Sequence, residues 1–123
     1  MSCDITGDYN VKGKFYSITP TSDSVNPTSS ILVSIKKVGK KFYRYEEFFE
    51  SGAPSIGVGT RSLEDDEVVI FTVDTRFGRQ LISVKPIKCK KDKAQKIKIK
   101  ALTVSDTLQA VVIKGIRTDE YDD

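Results

Sequence analysis

Eight of the sixteen residues from Lys85 to Lys100 are lysine, and only Asp92 opposes them. The chemistry open to such a run is electrostatic. The strip carries +7 on a chain of net charge +3, so the remainder carries −4. A basic strip on a mildly acidic background is the footprint of a polyanion contact. Lys96, Lys98 and Lys100 share one parity, and Ile97 and Ile99 the other. On a strand, three ammonium groups then follow one another at roughly 7 Å along one face. That spacing suits a phosphate backbone. Lys85, Lys88, Lys90, Lys91 and Lys93 lie in the connection before this strand and extend the patch. The run holds no aromatic residue on which a base stacks, and lysines along an exposed strand also block edge-to-edge aggregation. A solvated face is the leading reading, with nucleic acid or an acidic protein partner as the functional ones.

Other chemistry is restricted by what is missing. The chain has no histidine among its 123 residues, which removes the commonest general base and metal ligand. A Ser-His-Asp or Cys-His arrangement cannot be built from this chain alone. Zinc needs four Cys, His or carboxylate ligands, and only Cys3 and Cys89 are thiols. No catalytic residue, metal site or cofactor is therefore expected, and the chain reads as no enzyme. The acidic residues Glu64 to Glu67 point in diverging directions if they form a hairpin tip, which suits solvent better than a hard cation. Ser55 to Thr60 has the glycines of a phosphate loop but is followed by strand-like sequence, not by the helix such loops require. Gly57 and Gly59 are expected to allow strand bending or close approach of a neighbour.

The two thiols stand far apart, Cys3 in a terminal tail and Cys89 in the lysine run. Such a pair is no disulfide framework. The residues from Met1 to Thr6 have neither the basic nor the apolar region of a signal peptide. A reducing, intracellular setting follows, cytoplasmic or within a particle, with Cys89 as a spectator thiol. No apolar run is long enough to span a membrane, so membrane insertion is not expected.

The segments that carry these groups read as strands. Tyr9, Val11, Gly13 and Phe15 alternate with polar residues, Ile31, Val33 and Ile35 share one parity, Ile56 and Val58 alternate with glycines, and residues 80–84, 96–104 and 108–116 complete the set, the period of two of a half-buried strand. Residues 41–49 are rich in aromatics, which favour a pleated surface. Val68 to Val73 is nearly continuous in apolar and β-branched residues, the pattern of a strand buried on both faces. Short turns join most of these eight segments, so neighbours run antiparallel. The predicted fold is all-β: a single small antiparallel meander barrel of about eight strands, or a rolled sandwich, over residues 1–123. Residues 19–30, polar and with two prolines, read as a long loop. Residues 118–123 read as an acidic, fraying tail.

Within 41–49, Tyr43, Tyr45 and Phe49 share one parity, and Phe42 and Phe48 the other. Aromatics on both faces exceed the need of one core face. Core packing, a protein interface over these five residues, or a ligand-lined interior each account for the surplus.

Gly7-Asp8-Tyr9 on the first strand, together with the eight-strand meander, resembles the calycin-type barrels: lipocalins, fatty-acid-binding proteins and avidins. Those carry Gly-x-Trp on the first strand, with a basic side chain from the last strand packed across the indole. The resemblance implies that Tyr9 takes the place of the Trp, and that Arg117 or Lys114 supplies the cation, with Arg117 as the barrel-closing partner. The lipocalin Thr-Asp-Tyr element, the helical lid of the fatty-acid binders and the biotin ring of avidins have no counterpart here. The resemblance therefore implies a barrel without carrying over a ligand.

The expected function is a non-enzymatic structural or interaction module, docked with other protein subunits in a larger assembly such as a viral particle or multiprotein complex. A nucleic-acid-binding module using residues 85–100 is the first alternative. A lipocalin-like carrier of a small hydrophobic ligand is the second, and a small-molecule ligand is the less expected partner.

Overall fold

The computed structural model describes residues 3–65, 67–75, 78–104 and 108–118, without the side chains of Val104 and Leu108. The acidic tail beyond Thr118 lies outside the described residues. The chain is all-β, a closed eight-strand antiparallel barrel with one further strand. Its strands are β1 (Gly7–Ile18), β2 (Asp23–Pro27), β3 (Ser30–Lys37), β4 (Tyr43–Phe49), β5 (Ser55–Arg61), β6 (Val69–Thr75), β7 (Gly78–Lys90), β8 (Lys93–Val104) and β9 (Leu108–Arg117). They follow one another around the barrel in a meander from β3 to β9. β1 closes the ring, pairing with β3 through Gly7–Asn10 and with β9 through Tyr9–Ile18.

β2 is the further strand, and it occupies the stretch read as a loop. Its partners are the last residues of β1, from Lys14↔Pro27 to Ile18↔Asp23. The turn between them is held by Thr19, whose backbone N–H and hydroxyl both donate to the Ser22 carbonyl at 2.8 Å. Its hydroxyl also accepts the Ser22 N–H at 2.9 Å, a Ser/Thr turn that needs neither glycine nor an apolar period. β2 leads into β3 across a kink. Asn10 faces Leu32, and Lys14 faces Pro27, so four steps on β1 meet five on the other strand, the one-residue surplus of a bulge.

The alternation gives an inside and an outside. Tyr9, Val33, Ile35, Tyr45, Phe71, Ile82, Val84, Ile97, Ile99 and Ile113 are buried in one continuous core. β6 corrects the expectation of a strand buried on both faces. Val69, Phe71 and Val73 point inward, while Ile70 is half-buried and Thr72 exposed. A barrel has only one interior, so a fully apolar run still turns half its side chains outward. The glycines of β5 mark a close approach. A Cβ on Gly59 would lie 2.1 Å from the Ile70 carbonyl oxygen, and one on Gly57 2.4 Å from that of Thr72. Between β5 and β6, the Ser62 N–H donates to the Val68 carbonyl at 2.8 Å.

The basic run forms a hairpin, not a strand after a connection. β7 continues to Lys90 and β8 begins at Lys93. Lys91 and Asp92 make the turn at φ 54° and 63°, the two positive values that match the twist of a tight hairpin.

Candidate functional site

The two ends of the barrel are built differently. At one end residues 3–6 run beside the β7–β8 hairpin. The Asp4 N–H donates to the Asp92 carbonyl at 2.7 Å, and the Asp4 carbonyl accepts from Ala94 at 2.8 Å. Cys3 is joined to Cys89 by a disulfide, with a Cα–Cα distance of 6.3 Å. This corrects the expectation of two separate thiols, and Cys89 is not a spectator thiol but half of a cross-link. The N-terminal residues lie beside the hairpin tip, so a separation of 86 residues in sequence is short in space. Ile5 is fully buried beside this bridge.

The Arg117 guanidinium lies 5.2 Å from the centre of the Tyr9 ring. Its Nε donates to the Ala94 carbonyl at 2.6 Å, and one Nη donates to Thr6 at 2.8 Å and to the Tyr9 hydroxyl at 3.1 Å. The Tyr9 hydroxyl donates to the Ile5 carbonyl at 2.7 Å. Arg117 is thus a clamp on three segments, as well as a cation over a ring. Gly7 leaves room for it. A Cβ there would lie 2.2 Å from the Arg117 guanidinium, and φ is +141°. Lys114, three residues before Arg117 on the same strand, faces outward opposite Lys12.

At the other end the interior is not filled. A cavity of about 340 Å³ opens between the ends of β1, β3, β4, β6, β7, β8 and the start of β9. Its apolar wall includes Phe15, Phe49, Val73, Ile82, Ile99 and Val111. Glu47 stands in that wall, half-buried. One of its oxygens accepts from the Tyr45 hydroxyl and the other from Ser30, each at 2.5 Å. A carboxylate offers about four acceptor positions, so two remain for a bound molecule. Burial first, and then the neighbouring Glu47 carboxylate, push the Tyr45 phenol well above its ordinary value of 10.0. Tyr45 therefore stays protonated and remains a donor to Glu47.

The cavity wall carries a second carboxylate, Asp74, but the two are not equivalent. Asp74 receives a hydrogen bond from Arg79 at 2.8 Å at the mouth, and that bond with the charge of Arg79 holds it below the usual carboxylate range. Among the described residues no cation lies within ion-pairing distance of Glu47. The Thr28 hydroxyl, also in the wall, is buried and has no hydrogen-bond partner among the described residues. Buried polar atoms are seldom left so. Among the described residues no cluster of His, Cys, Asp and Glu has the form of a metal site.

The aromatic group divides accordingly. Tyr43 and Tyr45 are buried, which corrects their place in an outer protein interface: inward parity takes them into the core. Lys37 and Arg61 lie 5.5 and 5.7 Å from the Tyr43 ring. Phe49 lines the cavity. Phe42 is 54% exposed and Phe48 half-buried, so these two remain on the outer side. The lysines at 85, 88, 90, 91, 93, 96 and 100 are exposed and Lys98 is half-exposed. Lys85 lies 3.6 Å from Asp65.

Sequence reasoning missed Glu47, Ser30 and Thr28. For Glu47 the signal was present, because it shares the parity of Tyr43, Tyr45 and Phe49. A carboxylate on the inward parity of an aromatic strand is the anomaly that marks a polar group inside a barrel. No family model matches this chain, and neither does any curated protein or solved structure.

Proposed function

We propose that this chain is a non-catalytic small-ligand binding barrel, and that its open end takes a compact molecule with an apolar body and a cationic, hydrogen-bond-donating head. The observation that carries this reading is Glu47: a carboxylate with spare acceptor positions, no cation beside it, and apolar walls around it. The cavity of about 340 Å³ is at the small end of the range for ligand pockets, roughly 300–1,000 Å³. The orphaned Thr28 hydroxyl supplies a second polar contact. An ammonium head would satisfy the open positions of Glu47 and place its alkyl or aromatic body against Ile99 and Val111.

This reading moves ahead of a docked structural module because two of the five aromatics assigned to an interface lie in the core. The Cys3–Cys89 disulfide supports an oxidising compartment, since such bonds persist there and are reduced in the cytosol. That favours a setting other than the reducing one expected from the thiol spacing.

The test is thermal unfolding of the purified, oxidised chain with matched six-carbon probes: hexylammonium, hexanol and hexanoate. Saturation at about a hundred times Kd stabilises by about 2.7 kcal/mol, a rise of roughly ten degrees. Hexylammonium is expected to give the largest rise and hexanoate the smallest. Glu47→Gln is expected to abolish the advantage of the ammonium over the alcohol. No rise with any probe would remove the reading of a ligand-binding lumen. A rise led by hexanoate would remove the assignment of Glu47.

A further inference from the structure

The register gathers lysines that are distant in sequence into one row on the outer face. Lys85 faces Lys98, Lys98 faces Lys114, and Lys114 faces Lys12. Directly opposed residues of an antiparallel pair share a face, with Cβ atoms about 4.5–5.5 Å apart. Four ammonium groups therefore cross β7, β8, β9 and β1 side by side, and a further pair, Lys88 and Lys96, lies beyond them. Like charges in such a row repel. Among the described residues Lys12, Lys98 and Lys114 form no ion pair. Towards the open end, the next row holds Lys100 facing Val112 and Val112 facing Lys14.

The row after that changes character. Leu81 faces Leu102, Leu102 faces Ala110, Ala110 faces Tyr16, and Tyr16 faces Val25. Leu81 is 58% and Leu102 62% exposed, and Tyr16 and Val25 are exposed too. An apolar row thus borders the lysine rows on the same outer face, nearer the open end.

We propose that this face docks peripherally on an anionic lipid bilayer, with the Leu81–Leu102–Tyr16–Val25 row entering the boundary of headgroups and acyl chains and the lysine rows held on lipid phosphates. Rows two residues apart lie roughly 7 Å apart along a strand, and interfacial elements bury their apolar side about 5–10 Å deep. Lysine stems then span the distance from the backbone to the headgroups. A nucleic acid fits this face less well. It would leave the apolar row without a partner, and the lysine rows hold no aromatic platform for bases and no arginine fork. The contact is peripheral because the apolar core faces inward, through Ile82, Ile97, Ile99 and Ile113, the reverse of a barrel that spans a bilayer. The proposal stands independently of what the lumen holds.

Co-sedimentation of the oxidised chain with vesicles tests it, using phosphatidylcholine alone and phosphatidylcholine with about a third phosphatidylserine. The chain is expected to bind the anionic vesicles and not the neutral ones. The triple variant Lys12→Gln, Lys98→Gln, Lys114→Gln is expected to weaken partitioning on the order of a hundredfold. The pair Leu81→Ser, Leu102→Ser is expected to weaken it while leaving the salt dependence unchanged. All substituted residues lie on the outer face, and melting curves confirm folding. Failure to bind anionic vesicles overturns the proposal, as does equal binding to neutral ones. Binding that ignores the leucine changes and is displaced by a single-stranded oligonucleotide also overturns it, in favour of nucleic acid.

Discussion

The two ends of this barrel share the same strands and differ in what fills them. At the closed end, no buried side-chain polar atom among the described residues is left without a partner. Arg117 serves Ala94, Thr6 and Tyr9, Tyr9 serves Ile5, and the Cys3–Cys89 bridge ties the N-terminal residues to the β7–β8 hairpin. At the open end, Glu47 keeps spare acceptor positions, and the Thr28 hydroxyl has no partner among the described residues. The closed end spends its polar groups on the fold and the open end holds them in reserve, which is how a stability site and a binding site differ on one scaffold.

The comparison can be broken most forcefully at the closed end. Tyr9→Ala removes a fully buried ring, the hydrogen bond to Ile5 and the surface on which Arg117 lies. A loss of about 3–5 kcal/mol is expected in urea unfolding. The matching change at the mouth, Phe15→Ala, removes a half-buried ring facing the cavity, and is expected to cost under about 2 kcal/mol. Equal costs would erase the distinction between the ends. Removing the disulfide by Cys3→Ser with Cys89→Ser opens a long loop, with 86 residues of separation. The expected loss is about 2–4 kcal/mol, read as a lower denaturation midpoint, with ligand-induced stabilisation at the open end retained.

Much of this architecture was legible in the sequence, for a definite reason. Period-two alternation fixes which side chains share a face, and together with the aromatic run at 41–49 and the apolar run at 68–73 it marked the eight segments that form the barrel. It does not fix register fully: a one-residue slip would turn the apolar set outward, but a two-residue shift between strands leaves the pattern untouched. The row Lys85–Lys98–Lys114–Lys12 exists only through register, so nothing in the sequence alone sets Lys12 or Lys114 beside the basic strip. Residues 19–30 concealed β2 because Ser, Thr and Pro carry no apolar period, although the Thr19 side chain builds the turn. The Lys91-Asp92 turn was hidden for a related reason, since its positive φ values fall on residues without the Asn-Gly signature. The disulfide was illegible because contact between Cys3 and Cys89 depends on where the N-terminal residues cross the barrel end.

A smaller effect sharpens the comparison from the open end. The folded state raises the Tyr45 phenol above its ordinary 10.0, chiefly by burial. A group raised on folding contributes stability that is fully present below its unfolded value and is lost as pH climbs through the folded one. Stability is therefore expected to fall above about pH 10, and Tyr45→Phe is expected to flatten that alkaline limb. The same limb in both proteins would show that Tyr45 is not its source. The smallest effect belongs to the outer face. Lys98→Gln relieves repulsion from Lys85 and Lys114, so the melting temperature is expected to rise slightly at low salt. The rise is expected to vanish near 1 M salt, where the Debye length is about 3 Å. A gain that persists at high salt would mean that packing, not charge, is responsible.

The most direct test of the open end as a binding site is a backbone-amide NMR titration of the oxidised chain with hexylammonium. Saturable shifts are expected at Ser30, Glu47, Ile99, Ala101 and Val111, with Tyr9, Ala94 and Arg117 at the closed end unmoved. Shifts confined to the lysine face, or no saturable shifts at all, would contradict the assignment of the lumen as the ligand site.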